Sequence, residues 1–401
     1  MGRRRIAVAA GVAIALSLAS ASCLWRQQSL AESRRAALEA ELAAILEDTR
    51  AQARIPGVSA AFALPDGRVG AAAAGFADVE RGDVMTPRSR FLAGSVGKSF
   101  HAALAIALHR EGTLDLDAPI SRWVGDEAWF RRLPNGSELT LRILLRHTSG
   151  IVNHLQTPSF WFKSLAERFA HDADALLAAE ELIEIALDRE PRFAAGTDFA
   201  YGDTNYVVAG VVIERATGSN PFSLIEERLL EPLALDAIAP ARARRVPELA
   251  AGYQLPVNPF LLPPKIAENG ALRVHPMNES TAGGFATTPS DLVRWYAALF
   301  EERALPGRYL DELVGDPVAT GDGRRYGLGV YVYDTPLGPA WGHGGYFPGY
   351  RSGALYFPEA RVAVCVQVNR DFWVDVDALL LEIAGRMIAS STPQTLASSR
   401  H

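Results

Sequence analysis

Strand-like sequence stands near both ends of this chain and helical sequence fills the stretch between, and that arrangement constrains the fold more than any other feature. Residues 57–64 (GVSAAFAL) and 68–76 flank the turn Pro65-Asp66-Gly67 and read as a β-hairpin. From Tyr326 onward, GLGVYVYD, SGALYF and RVAVCVQV read as further strands. Between them, at about 115–300, come helical patches and loops, including the aperiodic, Pro- and Asn-rich stretch 252–282. Strands so far apart in sequence bury their apolar faces by joining one sheet. The expected fold class is therefore α/β in the α+β sense, with an antiparallel sheet built from both chain ends, flanked by helices, plus an inserted helical region. The flanking helices are read at 30–54, at about Ser95 to Arg110, and at about Val374 to Ala389.

With 401 residues, 49% of them hydrophobic, the chain can bury a large core. Its net charge is −6, and losing Arg3, Arg4 and Arg5 would take it to −9, so nothing suggests a nucleic-acid partner. Cys23 and Cys365 are the only cysteines, so there is no disulfide framework, and the eight scattered histidines give no metal-ligand spacing. No metal or cofactor is expected. Residues 1–21 combine a basic start, an apolar run and Ala19-Ser20-Ala21, the form of an export signal. The segment also reads as a retained anchor, or as a leader ending in lipidation at Cys23. Each reading puts the folded part in the periplasm or outside the cell, with a membrane tether in two of them. The expected organisation is 1–21 as signal or anchor, 22–54 as a leader with a surface helix, 55–389 as one domain, and 390–401 as a disordered tail.

The stretch FLAGSVGKSF, Phe91 to Phe100, carries the chemistry. "GKS" suggests a phosphate loop, but the residue five before Gly97 is Leu92 where glycine is required. "AGSVG" suggests a nucleophile elbow, but no buried strand leads into it. Ser95-x-x-Lys98 remains. The chain has only three lysines, at 98, 163 and 265, among 40 basic residues. A lysine in so arginine-rich a chain points to the property arginine lacks, a removable proton. The following FHAALAIALH is apolar nearly all round, so Lys98 is expected in a buried setting that disfavours its charge. Residues three apart share a helix face, which puts the amine beside the Ser95 hydroxyl.

Two later stretches, FAYGDTNYVVAG from Phe199 and WGHGGYFPGYRSG from Trp341, complete a set of three motifs. Ser95-Val96-Gly97-Lys98, Tyr201-Gly202-Asp203 and His343-Gly344-Gly345 resemble, in order, those of the serine β-lactamase and penicillin-binding-protein superfamily. The branch they resemble holds class C β-lactamases, D-alanyl-D-alanine carboxypeptidases and esterases. LLRHTSGI from Leu144 and STAGGFATTPSDL from Ser280 are similar to its connecting segments, so the resemblance spans about 55–389. It implies a β-lactamase/transpeptidase-like fold and a serine hydrolase acting on a small-molecule or peptide substrate, with esterase, D-amino-acid peptidase and β-lactamase as the activities. The reading of another class is a non-catalytic penicillin-binding-like sensor or binding module, which need not retain Ser95, Lys98 and Tyr201 together. Ser95 would be the acylated nucleophile, Lys98 its base, and Tyr201 the relay to the leaving group, its phenolate favoured by a positive neighbour. Asp203, His343, Gly344, Gly345 and Tyr346 would bind substrate, with His343 on an edge strand and its imidazole turned to the substrate. The amides of Ser95 and Tyr346 would form the oxyanion hole. His147 is expected to be structural.

Two positions depart from the pattern. Asp203 stands where the family has asparagine, and a carboxylate cannot donate a hydrogen bond. It would pair with Lys98 and favour the charged amine. Gly344 replaces a threonine or serine whose hydroxyl helps bind a substrate carboxylate in the family, and Arg351 is the nearby candidate to supply charge instead.

Overall fold

The computed structural model describes residues 32–160, 174, 176–258 and 262–391. The signal at 1–21, Cys23, Lys163 and residues 392–401 lie outside the described residues.

Among the described residues, nine strands form the main sheet. They are β1 (Gly57–Ala63), β2 (Val69–Asp78), β3 (Asp83–Val84), β4 (Val318–Ala319), β5 (Arg325–Tyr326), β6 (Tyr331–Thr335), β7 (Gly338–Phe347), β8 (Tyr350–Phe357) and β9 (Val362–Val368). Their order across the sheet is β3-β2-β1-β9-β8-β7-β6-β5-β4. The two chain ends meet where β1 runs antiparallel to β9, with Val58 opposite Val368 and Ala63 opposite Ala363. The expected sheet from both termini is present, and every pairing in it is antiparallel.

β1 and β9 are buried along their whole length because both faces of the sheet are covered. Alternate side chains go to opposite layers, as the period of a strand requires. Ala60, Phe62, Val364 and Val366 pack with the helices 32–53 (α1) and Val376–Ser391 (α5). Ala61, Ala63 and Cys365 join the core containing helices Lys98–Arg110 (α2), Asp203–Thr217 (α3) and Pro289–Phe300 (α4). The closing helix thus reaches Ser391, two residues into the segment read as tail.

The segment before α2 is tied to the last part of the inserted region. Phe91–Leu92 pairs antiparallel with Phe285–Thr287, and the Ala93 amide donates to the Phe285 carbonyl at 2.9 Å. This small sheet brings the STAGG segment against the turn that carries Ser95. The 252–282 stretch is not without structure, since it holds a two-strand ribbon (Ala267–Glu268 with Ala271–Leu272) and the turn of helix Pro276–Ala282.

Candidate active site

Ser95 sits in a 3-10 turn, Gly94–Gly97, that feeds directly into α2. The turn lies hard against β7 through two glycines. A Cβ at Gly94, whose φ is +56°, would fall 2.6 Å from the Tyr346 nitrogen and 2.5 Å from its oxygen. A Cβ at Gly345 would fall 1.9 Å from the Ala93 carbonyl oxygen. Neither position has room for a side chain, and the contact turns the polar edge of Tyr346 toward the Ser95 turn. The two amides expected to form an oxyanion hole are therefore neighbours. Gly344 is different, since its nearest obstacle, the Ser352 oxygen, is 3.9 Å away. Crowding does not explain the missing threonine or serine there.

Lys98 opens α2 and is fully buried. Its ammonium donates to Ser95 Oγ at 3.0 Å, Asp203 Oδ1 at 2.5 Å and the Ala282 carbonyl at 2.7 Å. Three acceptors match its three donors. The rings of Tyr201 and Tyr206 flank it, their centroids 5.0 and 5.3 Å from Nζ. The ion pair with Asp203 expected from the sequence is thus present.

Asp203 begins α3, and the segment before it is fixed by His147. His147 Nδ1 accepts from the Gly202 amide at 3.3 Å and faces the Asn205 side-chain amide at 3.1 Å, and Ala200 N donates to the His147 carbonyl. Burial and the Lys98 charge hold His147 neutral, and its role is to clamp the Tyr201-Gly202-Asp203 turn. Tyr201 packs at a tilt against that imidazole with centroids 4.2 Å apart. Its hydroxyl is buried and, among the described residues, has no partner at hydrogen-bonding geometry. Burial first, and then the Asp203 carboxylate, raise its pKa well above the usual tyrosine value, although the Ser95 hydroxyl beside it acts in the opposite sense. The expected phenolate is corrected: burial, with Asp203 adding to it, outweighs the positive neighbour, and the resting group is a neutral phenol that can donate a proton.

β7 pairs with β6 over Gly338–Gly342 and with β8 over Trp341–Phe347, so it has a strand on both sides only at Trp341 and Gly342. Beyond Gly342 its β6 side has no strand partner among the described residues, so 343–347 form the free edge expected for His343. The imidazole itself is committed elsewhere. Its Nδ1 lies 2.5 Å from the Gly344 carbonyl, which can only accept, so Nδ1 carries the proton. Nε2 then accepts from the Tyr326 hydroxyl at 3.0 Å. Burial lowers its pKa to about 3. The expectation that this imidazole faces the substrate with a hydrogen bond and partial charge is corrected: both nitrogens are used inside the protein. Arg351 and Tyr346 lie together at the end of this edge, the guanidinium 5.3 Å from the ring centroid, with Asp371 beside them.

Sequence reasoning missed three contributors. Ala282 acts through its carbonyl, which leaves no side-chain signature, although the STAGG segment around it marked the place. Tyr326 orients His343 from a neighbouring part of the sheet. Glu279 accepts the Gly284 amide at 2.9 Å, and its carboxylate fills the space a Cβ on Gly283 would need. Burial raises its pKa from 4.5 to about 7. Its folded-state pKa lies above the unfolded value, so its favourable contribution is full below pH 4.5 and disappears as pH rises through 7. Glu279→Gln keeps an acceptor for Gly284 and removes that loss. The variant is expected to be more stable than the parent at pH 8 by about 3 kcal/mol, and equal to it near pH 4, in denaturant titrations. Equal stability at both pH values would exclude the assignment.

A family model described as Beta-lactamase matches residues 42–385. The architecture and the three motifs are those of the serine β-lactamase and penicillin-binding-protein superfamily. The chain belongs to the beta-lactamase family, and it is an enzyme of the serine hydrolase type. Among its relatives is Esterase EstB of Burkholderia gladioli, 29% identical over 351 residues, covering 81% of this chain and 82% of the relative. A D-aminopeptidase of Gluconobacter oxydans is 25% identical over 346 residues, covering 85% of this chain but 60% of that longer protein. Among solved structures, a D-stereospecific amidohydrolase from a Streptomyces species superposes with a TM-score of 0.73 at 28% identity, covering 86% of this chain and 97% of the other.

Proposed function

We propose that the chain is an exported serine hydrolase that forms an acyl-enzyme on Ser95 and acts on an ester or amide, of the esterase or D-amino-acid peptidase type. The observation that carries this reading is the fully buried Lys98 amine 3.0 Å from the Ser95 hydroxyl. In acylation, Lys98 first gives up one ammonium proton to solvent; Ser95 Oγ then attacks the substrate carbonyl and its proton passes to the neutral Lys98 Nζ. The amides of Ser95 and Tyr346 receive the negative charge that develops on the carbonyl oxygen. Tyr201, neutral at rest, gives a proton to the departing group and is reprotonated from Lys98. Water then attacks the acyl carbon, with the same groups returning their protons in reverse. Export rests on the sequence of residues 1–21, and 55–389 is taken as one catalytic unit.

Three substrates separate the activities: p-nitrophenyl acetate, a D-alanyl dipeptide and a chromogenic cephalosporin. The ester and the dipeptide are expected to turn over, the cephalosporin slowest, and Ser95→Ala is expected to abolish all three. The missing hydroxyl at Gly344 and missing amide at Asp203 place β-lactam hydrolysis last. Turnover undiminished in Ser95→Ala would overturn the reading, and a cephalosporin rate above the other two would replace it with a β-lactamase.

A further inference from the structure

On the reading of Ser95 and Lys98 given above, we infer that Asp203 selects acyl donors carrying a protonated amine next to the scissile carbonyl, and that the substrate's ammonium takes over the place Lys98 holds beside this carboxylate in the free enzyme.

The observation behind this is a mismatch between the motif and its occupant. Asp203 Oδ1 is bound to Lys98, and among the described residues Oδ2 has no hydrogen-bond partner. The side chain keeps 16% of its surface exposed, whereas Lys98 has none, so the carboxylate is the member of the pair that an incoming molecule can touch. One ammonium spans Ser95 Oγ and Asp203, which puts the carboxylate close to the reacting carbon of any bound acyl group. A carboxylate can only accept, and a donor that is also a cation makes the stronger bond to it.

The surrounding charge agrees. His147, His154 and His343 are all held neutral by burial. The Arg324 guanidinium lies 4.5 Å over the Tyr331 ring but is tied to Asp322. The Glu279 carboxyl also lies within electrostatic reach of Lys98. Among the described residues, Arg351 is the cation left near this edge, and it lies at its end against the Tyr346 ring and Asp371, whereas Asp203 has an acceptor to spare for a substrate ammonium.

The exchange also removes the obstacle the Lys98–Asp203 pair sets to catalysis. When a substrate ammonium binds Asp203, Lys98 Nζ releases one proton to solvent and the site's net charge is unchanged. The neutral amine then takes the Ser95 hydroxyl proton as the Oγ–acyl bond forms, and returns it through Tyr201 to the leaving alkoxide or amine as that bond breaks. A neutral acyl donor offers no such compensation, so Lys98 must lose its proton against the uncompensated carboxylate.

D-Alanine methyl ester and methyl propionate form a matched pair, alike but for the amine. Methanol release from each is measured with the full chain and with Asp203→Asn, after thermal melts and phosphonate labelling of Ser95 establish that both proteins are folded. Wild type is expected to favour the amino ester in kcat/KM by about 10- to 100-fold, the range of one charge-assisted hydrogen bond. In Asp203→Asn the ratio is expected to fall to within about threefold of unity. A ratio near one in the wild type, or a preference that survives in Asp203→Asn, would overturn the inference. So would failure to hydrolyse either ester by a protein whose Ser95 is labelled. Absence of labelling at Ser95 would instead overturn the hydrolase mechanism on which it rests.

Discussion

Lys98→Arg is expected to slow acylation of Ser95 by about a thousandfold, within the usual range for loss of a general base, while leaving a positive charge in place. The size of the effect follows from what the site asks of this side chain. The ammonium meets Ser95, Asp203 and Ala282 with one donor each, at 3.0, 2.5 and 2.7 Å. Arginine supplies donors in abundance and would satisfy Asp203 in a bidentate fashion. What it cannot do is give up its proton to become an acceptor for the Ser95 hydroxyl. A purely structural lysine would tolerate the exchange, because the ion pair survives. The check is the burst of p-nitrophenol on mixing with p-nitrophenyl acetate, with thermal melts to establish folding. A folded variant that retains a burst near the wild-type rate would show that charge, not proton transfer, is the property required of Lys98.

The second large effect separates two adjacent glycines. Gly345→Ala is expected to lower kcat/KM by about 10²- to 10³-fold, comparable to losing one oxyanion-hole donor. The added methyl would sit 1.9 Å from the Ala93 oxygen, a backbone atom that cannot swing aside. The strand edge and the serine turn must part, and the Ser95 and Tyr346 amides lose their common focus. Gly344→Ala adds the same methyl to open space, 3.9 Å from its nearest neighbour. Its melting temperature is expected to stay close to the parent's, while that of Gly345→Ala falls by several degrees. Differential scanning fluorimetry on the two variants decides the matter. Equal behaviour would mean that β7 and the Ser95 turn are not held together as described.

The sheet was legible because its strands alternate between two buried layers and so read as apolar runs bounded by turn residues. RVAVCVQV and GVSAAFAL are of this kind, and they pair with each other. The Ser95–Lys98 pair was legible because lysine is rare in this chain, so that Lys98 stood out against an arginine background. Asp203 was legible as a departure, and the ion pair it forms was expected from its chemistry. His343 was read correctly as to place and incorrectly as to direction. Its orientation depends on Tyr326 and on the Gly344 carbonyl, and neither carries a sequence signal that points at a histidine. The Tyr201 phenolate failed for a related reason: total burial of a hydroxyl is a property of the packed site, and it outweighs the nearby ammonium. Ala282 reached Lys98 through the pairing of Phe91–Leu92 with Phe285–Thr287, a contact between segments almost 200 residues apart. Local pattern does not encode contacts of that separation.

The central claim is that Ser95 is the residue acylated, with Lys98 as its base. The most direct test is peptide-level mass spectrometry of the folded protein after reaction with a serine-directed phosphonate. The account predicts one adduct, on the peptide containing Ser95, and loss of that adduct in both Ser95→Ala and Lys98→Arg. Folded wild-type protein with no adduct, or with its adduct on a different serine, would contradict it.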